Sequence, residues 1–316
     1  MDTLQLLGLT LVPVGPSPNS ELLDLIPQAS LLGVICNATI IFASFRTKSL
    51  HPSFSLLVAT LAVADGCGSV LFGGYVAPMI VLKLVTWELN FYRCGYLLLM
   101  SYDVSMHTHL LIVINRFLAV FTPVAYKNVF RVRFTKLLVF LAVSLSITTL
   151  TTFYIILGCH LNYDIKVGMD YFTEGPACDW YAEYLDNVKV QLAAFLGVVL
   201  NSLVIWKVRR NRKRVNRGHV SNVHRKREMD FIKQTVGQGF YLFIFSVNYS
   251  IVDLLPENLI VGFMMSMFFW NSVYTVDGLL VITFNSEIRE AIGCWKMFKK
   301  NHSANVSIVV ECRRSI

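Results

Sequence analysis

The chain has 316 residues, 55% of them hydrophobic and only 15% charged, with a mean hydropathy of +0.56. A soluble domain carries roughly 25% charged residues, so the composition excludes an ordinary soluble enzyme or binding domain and points to the bilayer. The formal net charge of +8 marks a nucleic-acid binder only where the basic residues form a face, and their positions along this chain give them another role.

Charge-poor stretches recur, each near the roughly 20 residues that cross a hydrocarbon core. Residues 25–45 carry no charge, 49–82 only Asp65, 94–115 only Asp103, and 137–163 none. Residues 190–206 are uncharged up to Lys207, which can snorkel. Residues 234–252 carry none, and 258–286 only Asp277. The expected fold is an all-α membrane protein, a bundle of seven transmembrane helices over residues 25–285. An extracellular amino terminus, residues 1–24, precedes it. A cytoplasmic tail, residues 286–316, follows and opens with a short amphipathic juxtamembrane helix. The longest polar tract, 207–230, is too short to bury a core of its own.

Seven spans put the termini on opposite sides. With the amino terminus outside, 24 of the 28 Lys and Arg residues fall inside, and only Lys83, Arg93, Lys166 and Lys189 are left outside. The positive-inside rule favours that orientation. The net charge then serves orientation and attraction to anionic lipid of the bilayer, with no nucleic-acid partner expected. The orientation also sorts the cysteines. Cys94 heads helix 3 and Cys178 lies in the loop between helices 4 and 5, both on the oxidising side where a disulfide persists. A Cys94–Cys178 bond is expected, with Cys159 as the competing partner.

At the inner end of helix 3 stands Asn115-Arg116-Phe117, with Pro123 seven residues after the arginine. The triplet resembles the Asp-Arg-Tyr motif of rhodopsin-like G-protein-coupled receptors. Helix 2 carries "LAVAD", ending in Asp65, helix 1 carries Asn37, and helix 7 ends "DGLLVITFNSEIR". The last aligns on that family's Asn-Pro-x-x-Tyr, with Asp277, Gly278 and Val281 in the Asn, Pro and Tyr places. The stretches "INRFLAVFTPVAYKNVF", "REMDFIKQTVGQGF", "VYTVDGLLVITFNSEIR" and "CDWY" together resemble nematode serpentine chemoreceptors of class x. The resemblance implies a receptor for an external small-molecule or peptide cue that activates a heterotrimeric G protein, in the plasma membrane of sensory neurons and their cilia. It assigns G-protein coupling to Asn115, Arg116, Phe117 and Pro123. The chain departs from the rhodopsin-like pattern in helix 6, which lacks Cys-Trp-x-Pro, and in helix 7, which lacks the Pro and Tyr. Asn115 cannot pair with Arg116 as an Asp would. Glu228 or Asp230 at the foot of helix 6 is the expected substitute.

Ionisable residues inside a membrane are functional candidates by default. At 1.5 Å per residue, Asp65 and Ser105 lie about 16 Å from the inner ends of their helices, Asn37 about 13 Å and Asp277 about 12 Å. The four therefore share a depth and form a candidate polar switch. Two carboxylates in a low dielectric do not both stay ionised without a cation. The cluster is expected to hold a Na⁺ ion at Asp65 and Asp277, or one shared proton, or to be a hydrogen-bonded knot. Apart from that ion no cofactor is expected. Asp103 and His107 are one turn apart and share a face, suiting a hydrogen-bonded pair or a proton relay. His109, two residues on, is expected to face elsewhere. Trp87, Tyr96, Asp103, Trp180, Tyr181, Trp270 and Tyr274 are candidates for a ligand vestibule at the outer face. A transporter, a channel or a degenerate receptor that does not signal is the alternative, but no internal repeat supports a transporter. Helix 7 lacks a lysine for a retinal Schiff base, and no enzymatic constellation stands out beyond Asp103 and His107.

Overall fold

The structure, a computed structural model, describes residues 24–46, 51–164, 168–215, 222–251 and 259–300. Helix α1 is Leu25–Arg46, α2 Pro52–Val81, α3 Phe91–Phe121 and α4 Val132–Ile156. Helix α5 comprises Pro176–Trp180, a π-helical stretch Tyr181–Val188 and Lys189–Val215, and α6 is Asn222–Ile251. Helix α7 is Ile260–Phe284 and α8 is Ser286–Lys300. Strands β1 (Leu161–Asp164) and β2 (Met169–Phe172) form an antiparallel hairpin between α4 and α5, pairing Leu161 with Phe172.

Helices α1 to α5 and α7 are long and apolar enough to cross a membrane. In hydrocarbon the backbone must satisfy its own hydrogen bonds, which leaves helices as the spanning form for such segments. Helix α6 packs between α5 and α7 in the same bundle; its first third is the charged run "NVHRKREMD". The outward faces are apolar, as lipid contact demands: Phe45 is 81% exposed, Phe140 66% and Phe195 61%.

Helix boundaries differ from the sequence expectation in an instructive way. Helix α3 continues five residues past Arg116, and α5 begins fourteen residues before Val190. The charges at 207–230 largely extend α5 and α6 as helix, consistent with the good helix propensity of Arg, Lys and Glu. A membrane limits the apolar stretch but not the helix that contains it. Among the described residues, π-helical stretches occur in α2, α5 and α7 and at the end of α4, at Phe72–Val76, Tyr181–Val188, Met264–Phe268 and Thr152–Ile156 respectively. All four lie toward the hairpin end of the bundle.

The expected Cys94–Cys178 bond is corrected: Cys178 is joined to Cys159, with Cα atoms 5.3 Å apart, and Cys94 is a free, buried thiol. The hairpin is the reason. Its pairing continues through Thr173, whose N–H donates to His160 O at 2.9 Å, and so returns the chain beside its start. That places Cys159 next to the first turn of α5. Leu161 and Tyr163 meanwhile face inward and cover the head of α3. Non-reducing peptide mapping of the purified protein should recover a Cys159–Cys178 cross-link and a Cys94 that alkylates only after denaturation. Loss of the bond in Cys178→Ala should lower the melting temperature, closing a loop of this length being worth about 3 kcal/mol.

Candidate functional site

A cavity of about 390 Å³ opens under the hairpin, walled by α3, β2, α5, α6 and α7. Its apolar floor is a chain of edge-to-face rings. Tyr102 meets Phe245 at 5.7 Å and Trp270 at 6.0 Å between centroids, arrangements favoured by the ring quadrupoles. Its polar wall holds four carboxylates, Asp170, Asp179, Glu183 and Asp186, and no Lys or Arg is among the described residues that line it. The Ser266 hydroxyl donates to Asp170 and ties β2 to the π turn of α7.

Of the seven vestibule candidates only Trp270 lines this cavity. Tyr274 is fully buried just beneath, where its hydroxyl accepts from Trp270 Nε1 at 3.1 Å. Tyr181 is stacked on Phe153 in the α4–α5 seam, and Tyr96 bonds Thr151 across α3 and α4 at 3.0 Å. Trp87 stacks on Tyr75, and Trp180 is exposed beside Tyr184. These four, with Asp103 and Tyr274, stand outside the cavity; the first turns of α5 direct Asp179 and Ala182 into it and leave Trp180 and Tyr181 on other faces of the helix.

The Asp103 carboxylate is not hydrogen-bonded to His107, although it stays within electrostatic reach of the ring. The carboxylate accepts from Lys189 Nζ at 2.5 Å, joining α3 to α5, while His107 Nδ1 meets Ser146 Oγ on α4 at 3.1 Å. Sharing a face let the two residues point to neighbouring helices. Lys189 was expected outside; it reaches a buried carboxylate because its aliphatic stem spans the apolar contact.

At mid-bundle the Ser105 hydroxyl donates to Asp65 Oδ1 at 2.6 Å, and Asp277 lies within electrostatic reach of Asp65. The partner of Asp277 is His109, whose Nε2 meets its Oδ2. Asn37 turns aside, donating to the carbonyls of Gly33 at 3.0 Å and Tyr274 at 3.2 Å. The expected four-residue cluster is thus corrected by one member, with His109 in and Asn37 out. The spacing held the signal, since Ser105 and His109 are four apart and share a face. Two glycines permit the approach of helices here. A Cβ on Gly278 would stand 2.9 Å from that of Cys36, and one on Gly68 would stand 2.5 Å from the Tyr274 ring.

Toward the other end of α3, the Arg116 guanidinium lies between two aromatic faces, 3.7 Å from the centroid of Phe54 and 4.2 Å from that of Phe231. Cation–π contacts of this kind hold a charge where water is scarce. Asn115 is buried and Phe117 stacks on Phe121. Pro123 opens a short helix of about two turns, Pro123–Val129, at the first helical position where its missing N–H costs nothing. Asp230 pairs with Lys233 at 3.9 Å and Arg289 at 4.0 Å, so it ties α6 to α8 instead of answering Arg116. The side chain of Glu228 lies outside the described residues. Asn285 caps α8, accepting from Ile288 N–H at 3.1 Å.

These features define a multi-pass helical membrane protein, with a cavity at one end, a buried polar core and an aromatic-clasped arginine toward the other. The family model described as "Serpentine type 7TM GPCR chemoreceptor Srx" matches residues 28–285, and the chain belongs to that family. It is similar to "Serpentine receptor class X 45" of Caenorhabditis elegans, 27% identical over 287 residues, which cover 83% of this chain and 78% of the relative. The family is one of receptors and not of enzymes.

The Asp103–Lys189 contact yields a stability test. Lys189→Ala strands a buried carboxylate and should cost about 3–5 kcal/mol, whereas Asp103→Asn with Lys189→Gln should recover most of it. Thermal melting of the purified variants measures both.

Proposed function

We propose that this chain is a chemosensory receptor with seven membrane spans, α6 among them. In this reading the hairpin faces outside, the Arg116 end faces the cytoplasm, and α8 lies along the inner membrane surface. An external small-molecule or peptide cue enters the cavity under the hairpin, and a heterotrimeric G protein docks at Asn115, Arg116, Phe117 and the Pro123 turn. The plasma membrane of sensory neurons and their cilia is the corresponding location. The observation that carries the reading is the course of α3. Tyr102 lines the cavity and Arg116 lies fourteen residues further on, about 21 Å along one rigid helix. Ser105 and His109 sit between them. A helix that touches ligand, polar core and coupling residue in turn can bias all three.

The carboxylate wall favours a cue that carries positive charge, with the aromatic floor taking its apolar or cationic body. Panels of amines and basic peptides should therefore outperform their uncharged analogues in a cAMP or calcium readout of the expressed receptor. Asp186→Asn and Asp170→Asn should each weaken potency roughly tenfold, a loss of about 1.4 kcal/mol. Arg116→Ala should abolish G-protein activation while leaving surface expression near wild type, since the side chain sits near the helix end and not in the deep core. Normal nucleotide exchange by the Arg116→Ala receptor would overturn the coupling assignment.

A further inference from the structure

Asp65 and Asp277 form a pair of carboxylates that a hard cation such as Na⁺ would suit by charge, and the first question is whether the residues around them fit such an ion. A hard cation wants several oxygen atoms converging on one point. Here Asp65 Oδ1 is taken by the Ser105 hydroxyl at 2.6 Å. Asp277 Oδ2 is taken by Nε2 of His109, and both side chains are buried, 10% and 2% exposed. With Asp277 as carboxylate, that nitrogen is the donor, and a donor directed at Oδ2 supplies the counter-charge that an ion would otherwise bring to that oxygen. Asn37, the remaining amide at this depth, spends its N–H groups on Gly33 and Tyr274. Its buried Oδ1 accepts no hydrogen bond among the described residues and faces Gly278, so it is a single oxygen on the α1 side of the cluster and not part of a converging set. Among the described residues no three of His, Cys, Asp and Glu are grouped to hold a metal ion. The residues present do not fit the ion.

The geometry points to His109 as the cluster's own resident counter-group: its imidazole fills the place of a metal ion between α3 and α7, and the protein does not use Na⁺ at its polar core. His109 is a positioning residue, acting through Asp277 to fix helix 7 against helix 3. Removing it would leave two carboxylates facing each other in hydrocarbon, with space opened between them. That is the arrangement into which a small cation would then be drawn. The inference does not depend on the receptor reading, because its test reads melting and not signalling.

The test uses the full-length protein purified in detergent and melted in NaCl and in choline chloride at equal ionic strength. Wild type should melt at the same temperature in both salts. His109→Ala in choline should melt lower by roughly 5–15 °C, the size expected for breaking a buried pair in a chain of this length. Na⁺ should raise that variant saturably. The double variant His109→Ala, Asp277→Asn should melt near wild type and ignore Na⁺, because both halves of the pair are gone. A saturable, Na⁺-specific stabilisation of wild type would overturn the inference, since an ion would then share the site with His109. Wild-type melting of His109→Ala in choline would overturn it as well. Should the single variant fail to fold in either salt, the double variant decides. Recovery supports the pairing, and failure to recover assigns His109 to packing alone and overturns it.

Discussion

The contact between His109 and Asp277 joins α3 to α7 at mid-bundle, where no water is available to satisfy either group. Much of the surrounding packing follows from that constraint. Asp65 must find its own donor and takes the Ser105 hydroxyl one turn above His109 on the same helix. Asn37 must place its amide and does so on backbone carbonyls of α1 and α7. For these short polar side chains to reach, the helices have to be close, and closeness is set by missing side chains. Gly278 lets α7 lie on Cys36 and Asn37, and Gly68 lets the Tyr274 ring lie on α2. Small residues at such contacts are how membrane helices gain packing without a hydrophobic driving force between them.

At the hairpin end the constraint is different. The chain between α4 and α5 must cover the bundle without filling it. Two short strands, held to the head of α5 by the Cys159–Cys178 bond, press Leu161 and Tyr163 onto α3 and leave the space beside them open. The π turns of α5 and α7 border that space, and such irregular turns collect at functional sites. From the cavity a continuous line of contacts leads inward: Trp270 to Tyr274 by a hydrogen bond, and Tyr274 to Asn37 through its carbonyl. Coupling between distant sites travels through packed and hydrogen-bonded neighbours of this sort when they have two arrangements.

The class-x serpentine family membership gives this arrangement its biological frame, and the chain's departures from the rhodopsin-like pattern have physical counterparts. The Pro place of helix 7 is Gly278, so α7 is not kinked by a ring at that point; it is instead brought against α1. The Asp that usually precedes the arginine is Asn115, and two aromatic rings clasp the guanidinium.

The membrane class and the positions of nearly all the spans were legible in the residues, because a bilayer imposes a length and a hydropathy that each segment must meet alone. Asp65 and Ser105 were legible as partners for a related reason, since depth along a helix converts directly to residue count. Direction around the helix axis was not so readily read. His109 turned to Asp277, and Asp103 turned from His107 to Lys189, because each side chain answers to whichever neighbouring helix offers a partner. The disulfide was decided the same way. Cys94 and Cys159 were both expected on the oxidising side, and only the hairpin's return beside Cys178 chose between them. The apolar lengths belong to single segments and are written in the sequence. The pairings belong to contacts between segments, and those exist only once the helices have packed.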